Sequence, residues 1–129
     1  MAEFLAGRVV SGLGEGQRFL SLHEYRHEVR EKLGFFPFPG TLNLEVDVGK
    51  MKEFLKESEP IELEGFERSG SRFNPLTAYR VWIASFDSAI VVPEKNRHPE
   101  NVVEVISEKN LREKLALENG DVVRMQRLG

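Results

Sequence analysis

A chain of 129 residues with 40% hydrophobic and 30% charged side chains is typical of a folded globular protein, and we expect one domain over 1–129. The net charge of −3 argues against a protein that coats duplex DNA, because such a protein needs a basic face. The absence of cysteine excludes disulfides, thiolate metal ligands and thiol nucleophiles. We find no apolar run of membrane-spanning length and no signal peptide, so we expect a cytoplasmic protein without membrane or nucleic-acid partners.

The N-terminal part of the chain contains a glycine-rich stretch between two predicted strands. Residues 4–10 predict the first strand and residues 17–20 predict the second. Between them lie Gly12, Gly14 and Gly16, whose spacing lets backbone N–H groups approach a ligand closely, as in a phosphate cradle. Neither a Gly-Lys-Ser/Thr sequence nor a long helix follows, which excludes a Walker A loop and a dinucleotide fingerprint. A glycine-rich hairpin turn is the alternative interpretation.

The next segment predicts a helix followed by a stiff connection. Ser21 begins a capping box, residues 22–33 have helical spacing of apolar side chains, and Gly34 ends the helix. Residues 35–40 are aromatic and rich in proline, so we expect them to be irregular and rigid.

A strand and a second helix are predicted after this connection. Residues 41–46 alternate as a strand, which places the oxygen-bearing side chains of Thr41 and Asn43 on the same face. One interpretation of this pair is that both residues satisfy backbone groups of the preceding Pro-Gly turn. Residues 47–56 predict a short amphipathic helix.

Residues 58–106 predict mostly β-structure. The polar segment 58–74 is typical of a turn between weak strands. Residues 76–84 and 88–92 predict strands joined by a turn near Phe86, and residues 102–106 predict a short β-branched strand.

The last elements complete the fold prediction. Asn110 caps a brief helix over 111–115, and residues 122–127 predict the final strand. The total of about six to eight short strands and two or three short helices, without βαβ alternation, favours a small closed β-barrel with inserted helices.

Several distinctive stretches follow one another over nearly the whole chain: 11–16, 34–44, 89–93, His98, 103–106, 111–112 and 120–123. In this order they resemble one family, the CTP-dependent riboflavin kinases of archaea. The resemblance implies a mainly β fold, a six-stranded cradle-loop (RIFT-type) barrel with short inserted helices. It also implies transfer of the γ-phosphate of CTP to the 5′-hydroxyl of riboflavin, giving FMN and CDP.

The resemblance assigns roles to individual residues. It implies that CTP and CDP bind to two stretches: Gly12, Leu13, Gly14, Glu15, Gly16 and Gln17, and Lys109, Asn110, Leu111 and Arg112. It implies that Thr41 and Asn43 bind one Mg²⁺ with the nucleotide, and that Asn96 and Glu104 contact the flavin. The partners would be CTP and riboflavin alone, and we expect a monomer.

Alternatives stay open for several of these residues. Lys109 and Arg112 are also explained as solvated charges, and the orientation of Glu15 beside phosphates is open because a carboxylate repels them. Glu104 shares a strand face with apolar residues, where a carboxylate suits a proton acceptor, a ribityl contact or an ion pair. Asn96 stands where the family has threonine, and an asparagine can still form a hydrogen bond.

Two further segments bear on the comparison with this family and on the flavin site. Residues 72–75 depart from the family pattern, which has a glycine after the aromatic residue. Phe35, Phe36 and Phe38 are suited either to stacking on the isoalloxazine ring or to core packing.

Two other functions compete with the kinase. One is a flavin- or nucleotide-binding barrel without catalysis. The other is a swapped-hairpin-like DNA-binding regulator, because such barrels share the type of turn predicted at 117–121, although the net acidity opposes it.

Overall fold

The computed structural model describes residues 3–12, 23–93 and 101–128. Several predictions lie outside these ranges: the strand 17–20, the Ser21 cap, the loop residues Leu13, Gly14, Glu15, Gly16 and Gln17, and the positions Asn96 and His98.

The described residues form nine strands and three helices. The strands are β1 (Phe4–Val10), β2 (Leu42–Glu45), β3 (Ile61–Leu63), β4 (Phe66–Arg68), β5 (Ser71–Phe73), β6 (Leu76–Ile83), β7 (Phe86–Pro93), β8 (Val102–Ser107) and β9 (Val122–Arg127). The helices are α1 (His23–Leu33), α2 (Val48–Lys56) and α3 (Leu111–Lys114). None of these three helices is long and apolar enough to cross a membrane.

Six of the strands close into an antiparallel barrel. The strand order is β6-β7-β8-β2-β1-β9, and β9 pairs back onto β6 through Val81 opposite Arg127 and Trp82 opposite Gln126. The first half of β6 pairs instead with the short strand β3, while β4 and β5 form a separate hairpin. The expected mainly β fold with a six-stranded closed barrel and short inserted helices is confirmed.

Apolar side chains fill the barrel and also cover part of its outside. Leu5, Leu44 and Ile90 belong to the interior cluster, as the alternation along each strand requires. A second buried cluster lies outside the barrel, where Val29 and Leu33 of α1 pack against Ile106 and neighbouring residues. This cover explains why β7 is buried on both faces and has a continuous apolar run.

Local signals for the helix ends agree with the structure. Gly34 has a φ of 87°, and its N–H bonds to the carbonyl of Arg30, which ends α1 as predicted. The side chain of Asn110 accepts a hydrogen bond from the N–H of Glu113 at 3.3 Å, as expected for the cap of α3.

The predicted turn between β6 and β7 is wrong by two residues. Ile83 pairs with Phe86, so residues 84–85 form the turn and Asp87 lies inside β7. The Asp87 carboxylate lies 3.6 Å from the Arg80 guanidinium, and the Asp87 carbonyl accepts a hydrogen bond from Ser107. These cross-strand partners let an aspartate, a common turn residue, occupy a strand.

Candidate functional site

The antiparallel pairing of β2 with β8 brings three of the predicted site residues together. Asn43 lies directly opposite Glu104, and both residues alternate with side chains of the barrel interior, so both point outward. The Thr41 hydroxyl donates to Oε1 of Glu104 at 3.2 Å, and Nδ2 of Asn43 lies 3.5 Å from the Thr41 oxygen. Thr41, Asn43 and Glu104 thus form one polar cluster on the outer wall of the barrel.

Asn43 is enclosed although it is polar. Only 7% of its surface is exposed, and its Oδ1 atom is buried without a hydrogen-bond partner among the described residues. A buried acceptor without a partner is costly, and such groups in folded proteins are associated with catalysis or with a missing ion or water. The oxygen of Asn43 therefore has a capacity to accept a hydrogen bond or to bind a cation that no described residue uses.

Gly12 lies against the Asn43 amide. A Cβ atom added at Gly12 would overlap Nδ2 of Asn43, so a side chain here requires the amide to move. The beginning of the glycine-rich stretch thus contacts the polar cluster directly. This position needs glycine because of the close approach.

We expect Gly12→Ala to lower the free energy of unfolding by about 1–3 kcal/mol, the usual cost of overpacking. Urea titration followed by circular dichroism measures this change. In an Asn43→Ala background the loss should shrink, because the overlapping amide is absent. The control is Gly49→Ala in α2, where the nearest atom is 3.4 Å from an added Cβ and alanine favours the helix. An equal loss of unfolding free energy in the wild-type and Asn43→Ala backgrounds would contradict a contact between Gly12 and Asn43.

The donor atoms of the cluster fit a hard cation. Mg²⁺ prefers oxygen ligands and often takes several of them from substrate phosphates and water. Thr41 and Asn43 present a hydroxyl and an unpartnered carbonyl oxygen on one face, beside the Glu104 carboxylate. Within the described ranges, no three His, Cys, Asp or Glu side chains are grouped so that they could hold a metal. A cation here would have the oxygens of Thr41 and Asn43 as protein ligands, with further oxygens from water or a bound phosphate.

A cleft opens beside the polar cluster. Its lining residues are Phe38, Gly40, Thr41, Leu42, Val105, Ser107, Lys109, Asn110, Leu111 and Arg112. The enclosed space is only about 60 Å³, well below the roughly 300–1,000 Å³ of pockets that enclose a drug-sized ligand, so a ligand here would lie partly against the open surface. Leu111 is 4% exposed and belongs to the core, so its side chain anchors the cleft wall. The structure thus places Thr41 and the four residues 109–112 around one space.

A hydrogen-bonded bridge joins this cleft to the glycine-rich stretch. The Asn119 amide accepts a hydrogen bond from the Arg112 guanidinium and donates one to the Ser11 hydroxyl at 3.0 Å. The neighbouring backbone is tied to β1, since the Gly120 N–H donates to the Val9 carbonyl. Sequence reasoning treated 117–121 only as a turn and missed this bridge.

The family model CTP-dep_RFKase, described as a domain of unknown function (DUF120), matches residues 9–126. The chain belongs to this family. The match covers both strands that carry the polar cluster, the cleft residues 109–112 and the bridge at Asn119. The expected membership of the CTP-dependent riboflavin kinase family is confirmed.

Proteins named riboflavin kinase are similar to the chain over most of its length. The one from Ignicoccus hospitalis is 46% identical over 121 residues, which are 92% of this chain and 68% of that protein. Those from Pyrobaculum arsenaticum and Archaeoglobus fulgidus are 40% and 41% identical over 95% of this chain. The chain spans 59% and 53% of their lengths. Riboflavin kinases are phosphotransferases, so the expectation of a phosphotransferase family is confirmed.

The structure clarifies the surroundings of Glu104. Ile106 on the same face is buried as expected, but Glu104 itself is half-buried and receives the Thr41 hydroxyl. Its environment is therefore more polar than the alternation of β8 alone indicates. The neighbouring strand supplies the polar groups, which the pattern of one strand does not reveal.

Proposed function

We propose that this chain is a CTP-dependent riboflavin kinase, with 1–129 as one kinase domain. It would transfer the γ-phosphate of CTP to the 5′-hydroxyl of riboflavin and release FMN and CDP. The observation that carries the proposal is the buried, unpartnered Oδ1 of Asn43, grouped with Thr41 and Glu104 beside the 109–112 cleft. Family membership and the name of the relatives support the substrate assignment.

The nucleotide would lie between the glycine-rich stretch and the cleft. Lys109 and Arg112 are cations at the cleft and suit the phosphates or the ribose-phosphate end of CTP. The stretch from Gly12 to Gln17 would offer backbone N–H groups to the phosphates. The Asn119 bridge to Ser11 and Arg112 would hold these two halves of the nucleotide site in register.

Thr41 and Asn43 would hold one Mg²⁺ together with the nucleotide. An ion bound there would neutralise part of the negative charge of the nucleotide phosphates. The Thr41 hydroxyl donates a hydrogen bond to Glu104 and accepts one from the Asn43 amide nitrogen, which leaves one lone pair of the hydroxyl for a cation. These contacts orient both oxygens before any ligand arrives, which reduces the cost of binding.

Glu104 would contact the ribityl chain of riboflavin. Its carboxylate lies at the polar cluster, where it can accept a hydrogen bond from a ribityl hydroxyl while holding Thr41. Phosphoryl transfer through a loose transition state depends more on positioning than on a strong base. A holding role is therefore favoured over general-base catalysis. The flavin contact of Asn96, the cytoplasmic location and the monomeric state stay predictions.

We expect the chain to form FMN faster with CTP than with ATP, GTP or UTP. The purified protein is incubated with riboflavin, Mg²⁺ and each nucleoside triphosphate in turn, and FMN is quantified by chromatography. Reactions without Mg²⁺ and without protein are the controls. Equal or faster FMN formation with ATP would contradict the CTP assignment.

The competing functions give different results in the same preparation. A catalytically inactive barrel binds riboflavin or CDP but forms no FMN with any nucleotide. A DNA-binding regulator retards a DNA duplex in a gel, and the retardation weakens as salt is added.

A further inference from the structure

Phe38 is held rigidly at the wall of the cleft. It lies between Pro37 and Pro39, which restrict the backbone on both sides. Its N–H donates to the Ser107 carbonyl at 2.7 Å, and its carbonyl accepts from the Gly40 N–H at 2.8 Å. A Cβ atom at Gly40 would lie only 3.2 Å from the Phe38 ring, so a side chain at this position would crowd the ring. The backbone that carries the Phe38 ring is thus held in place before a ligand binds.

The three phenylalanines of this segment have different surroundings. Phe35 is 5% exposed and belongs to the buried cluster under α1. Phe36 is 54% exposed, and the guanidinium groups of Arg26 and Arg30 lie 5.6 and 5.8 Å from its ring centre. Phe38 is half-buried and lines the cleft, and in the ranges that the structure describes no aromatic ring or guanidinium stacks on it. Of the three rings, Phe38 alone is placed to receive a planar ligand in the cleft.

The cleft combines an apolar wall with positive charge. Phe38 is the more exposed apolar side chain of the lining, because Leu42 and Val105 are buried, and Lys109 and Arg112 bring cations to the same space. This combination suits a flat heterocycle that carries an anionic group, because the ring can stack while its phosphates meet the cations.

We propose that Phe38 is the stacking platform for the base of the nucleotide, and that it does not contact the flavin. This inference rests on the proposed function, because it takes the 109–112 cleft as the nucleotide site. Stacking on an aromatic ring depends little on which base is present. Phe38 therefore contributes affinity for a nucleobase, and the preference for cytosine comes from other groups of the cleft.

The test measures nucleotide binding by calorimetry with the full chain in the absence of riboflavin. We expect Phe38→Ala to raise the Kd of CDP about 5- to 150-fold, which corresponds to about 1–3 kcal/mol. The Kd of UDP should rise by a similar factor, so the ratio of the two stays unchanged. Phe38→Tyr keeps the ring and should bind as the wild type does. Phe38→Leu fills the space without a ring and should lose part of the affinity while remaining folded.

Two controls separate stacking from other effects. Phe36→Ala removes an exposed ring two residues away and should leave the Kd of CDP unchanged. Inorganic pyrophosphate has no base, so its affinity should be the same in Phe38→Ala and in the wild type.

Distinct results would overturn the inference. Unchanged CDP binding in Phe38→Ala, with FMN formation intact in the wild type, would overturn the Phe38 inference alone. A raised Kd of riboflavin with an unchanged Kd of CDP would assign the ring to the flavin. A wild-type chain that binds neither CDP nor UDP and forms no FMN would overturn the proposed function together with the inference.

Discussion

Replacing Asn43 by alanine is expected to lower the turnover number of FMN formation about 10²–10³-fold, the usual effect of losing one preorganised group that stabilises transition-state charge. The replacement removes the buried Oδ1 atom, which has no partner among the described residues and is the proposed Mg²⁺ ligand. Thr41→Ala removes the neighbouring oxygen and should act in the same direction. Initial rates at saturating CTP and riboflavin, measured over a range of Mg²⁺ concentrations, give the turnover number and the metal dependence.

A conservative variant distinguishes metal binding from a structural role of Asn43. Asn43→Asp keeps an oxygen at the same place and should retain more turnover than Asn43→Ala, because carboxylates also bind Mg²⁺. Riboflavin binding, followed by quenching of flavin fluorescence, should stay within about twofold of wild type, since no flavin contact is proposed for Asn43.

The matched control for Thr41→Ala is Thr77→Ala. Thr77 lies half-buried in β6, away from the β2–β8 pair, so its replacement should leave turnover unchanged. Loss of riboflavin affinity in the Asn43 and Thr41 variants, with an unaltered Mg²⁺ dependence, would show that these residues do not bind the metal.

Replacing Glu104 by alanine is expected to raise the Michaelis constant for riboflavin about 10- to 150-fold, which corresponds to the loss of a hydrogen bond to a charged group. The carboxylate holds Thr41 at 3.2 Å and is the proposed acceptor for a ribityl hydroxyl. Alanine removes both contacts. Glutamine keeps the size and one acceptor oxygen, so Glu104→Gln should change the Michaelis constant only mildly.

The two variants Glu104→Ala and Glu104→Gln also test whether Glu104 acts as a general base. A positioned base contributes about 10²–10⁴-fold to the rate, and glutamine lacks basicity. Intact riboflavin affinity in Glu104→Gln together with a turnover number lowered a hundredfold or more would identify Glu104 as the base. Steady-state kinetics with riboflavin as the varied substrate separate the two results.

The sequence alone determined those features of the protein that depend on near neighbours in the chain. Gly34 ends α1 because a positive φ is easy for glycine, and Asn110 caps α3 with its own side chain. The alternation over 41–46 also placed Thr41 and Asn43 on one face, because successive side chains of a strand point to opposite sides. The number of short strands and the absence of βαβ alternation then favoured a small closed barrel.

Only the tertiary structure decided what depends on residues far apart in the chain. The register of β2 against β8 places Asn43 opposite Glu104, sixty-one positions later, and the Thr41 hydroxyl makes the surroundings of Glu104 polar. Phe38 follows the buried Phe35 by three residues, yet the fold places it at the cleft together with Arg112. The Asn119 bridge joins two segments that no local pattern connects. Such contacts follow from pairing and packing between strands, whereas periodicity and capping describe one element at a time.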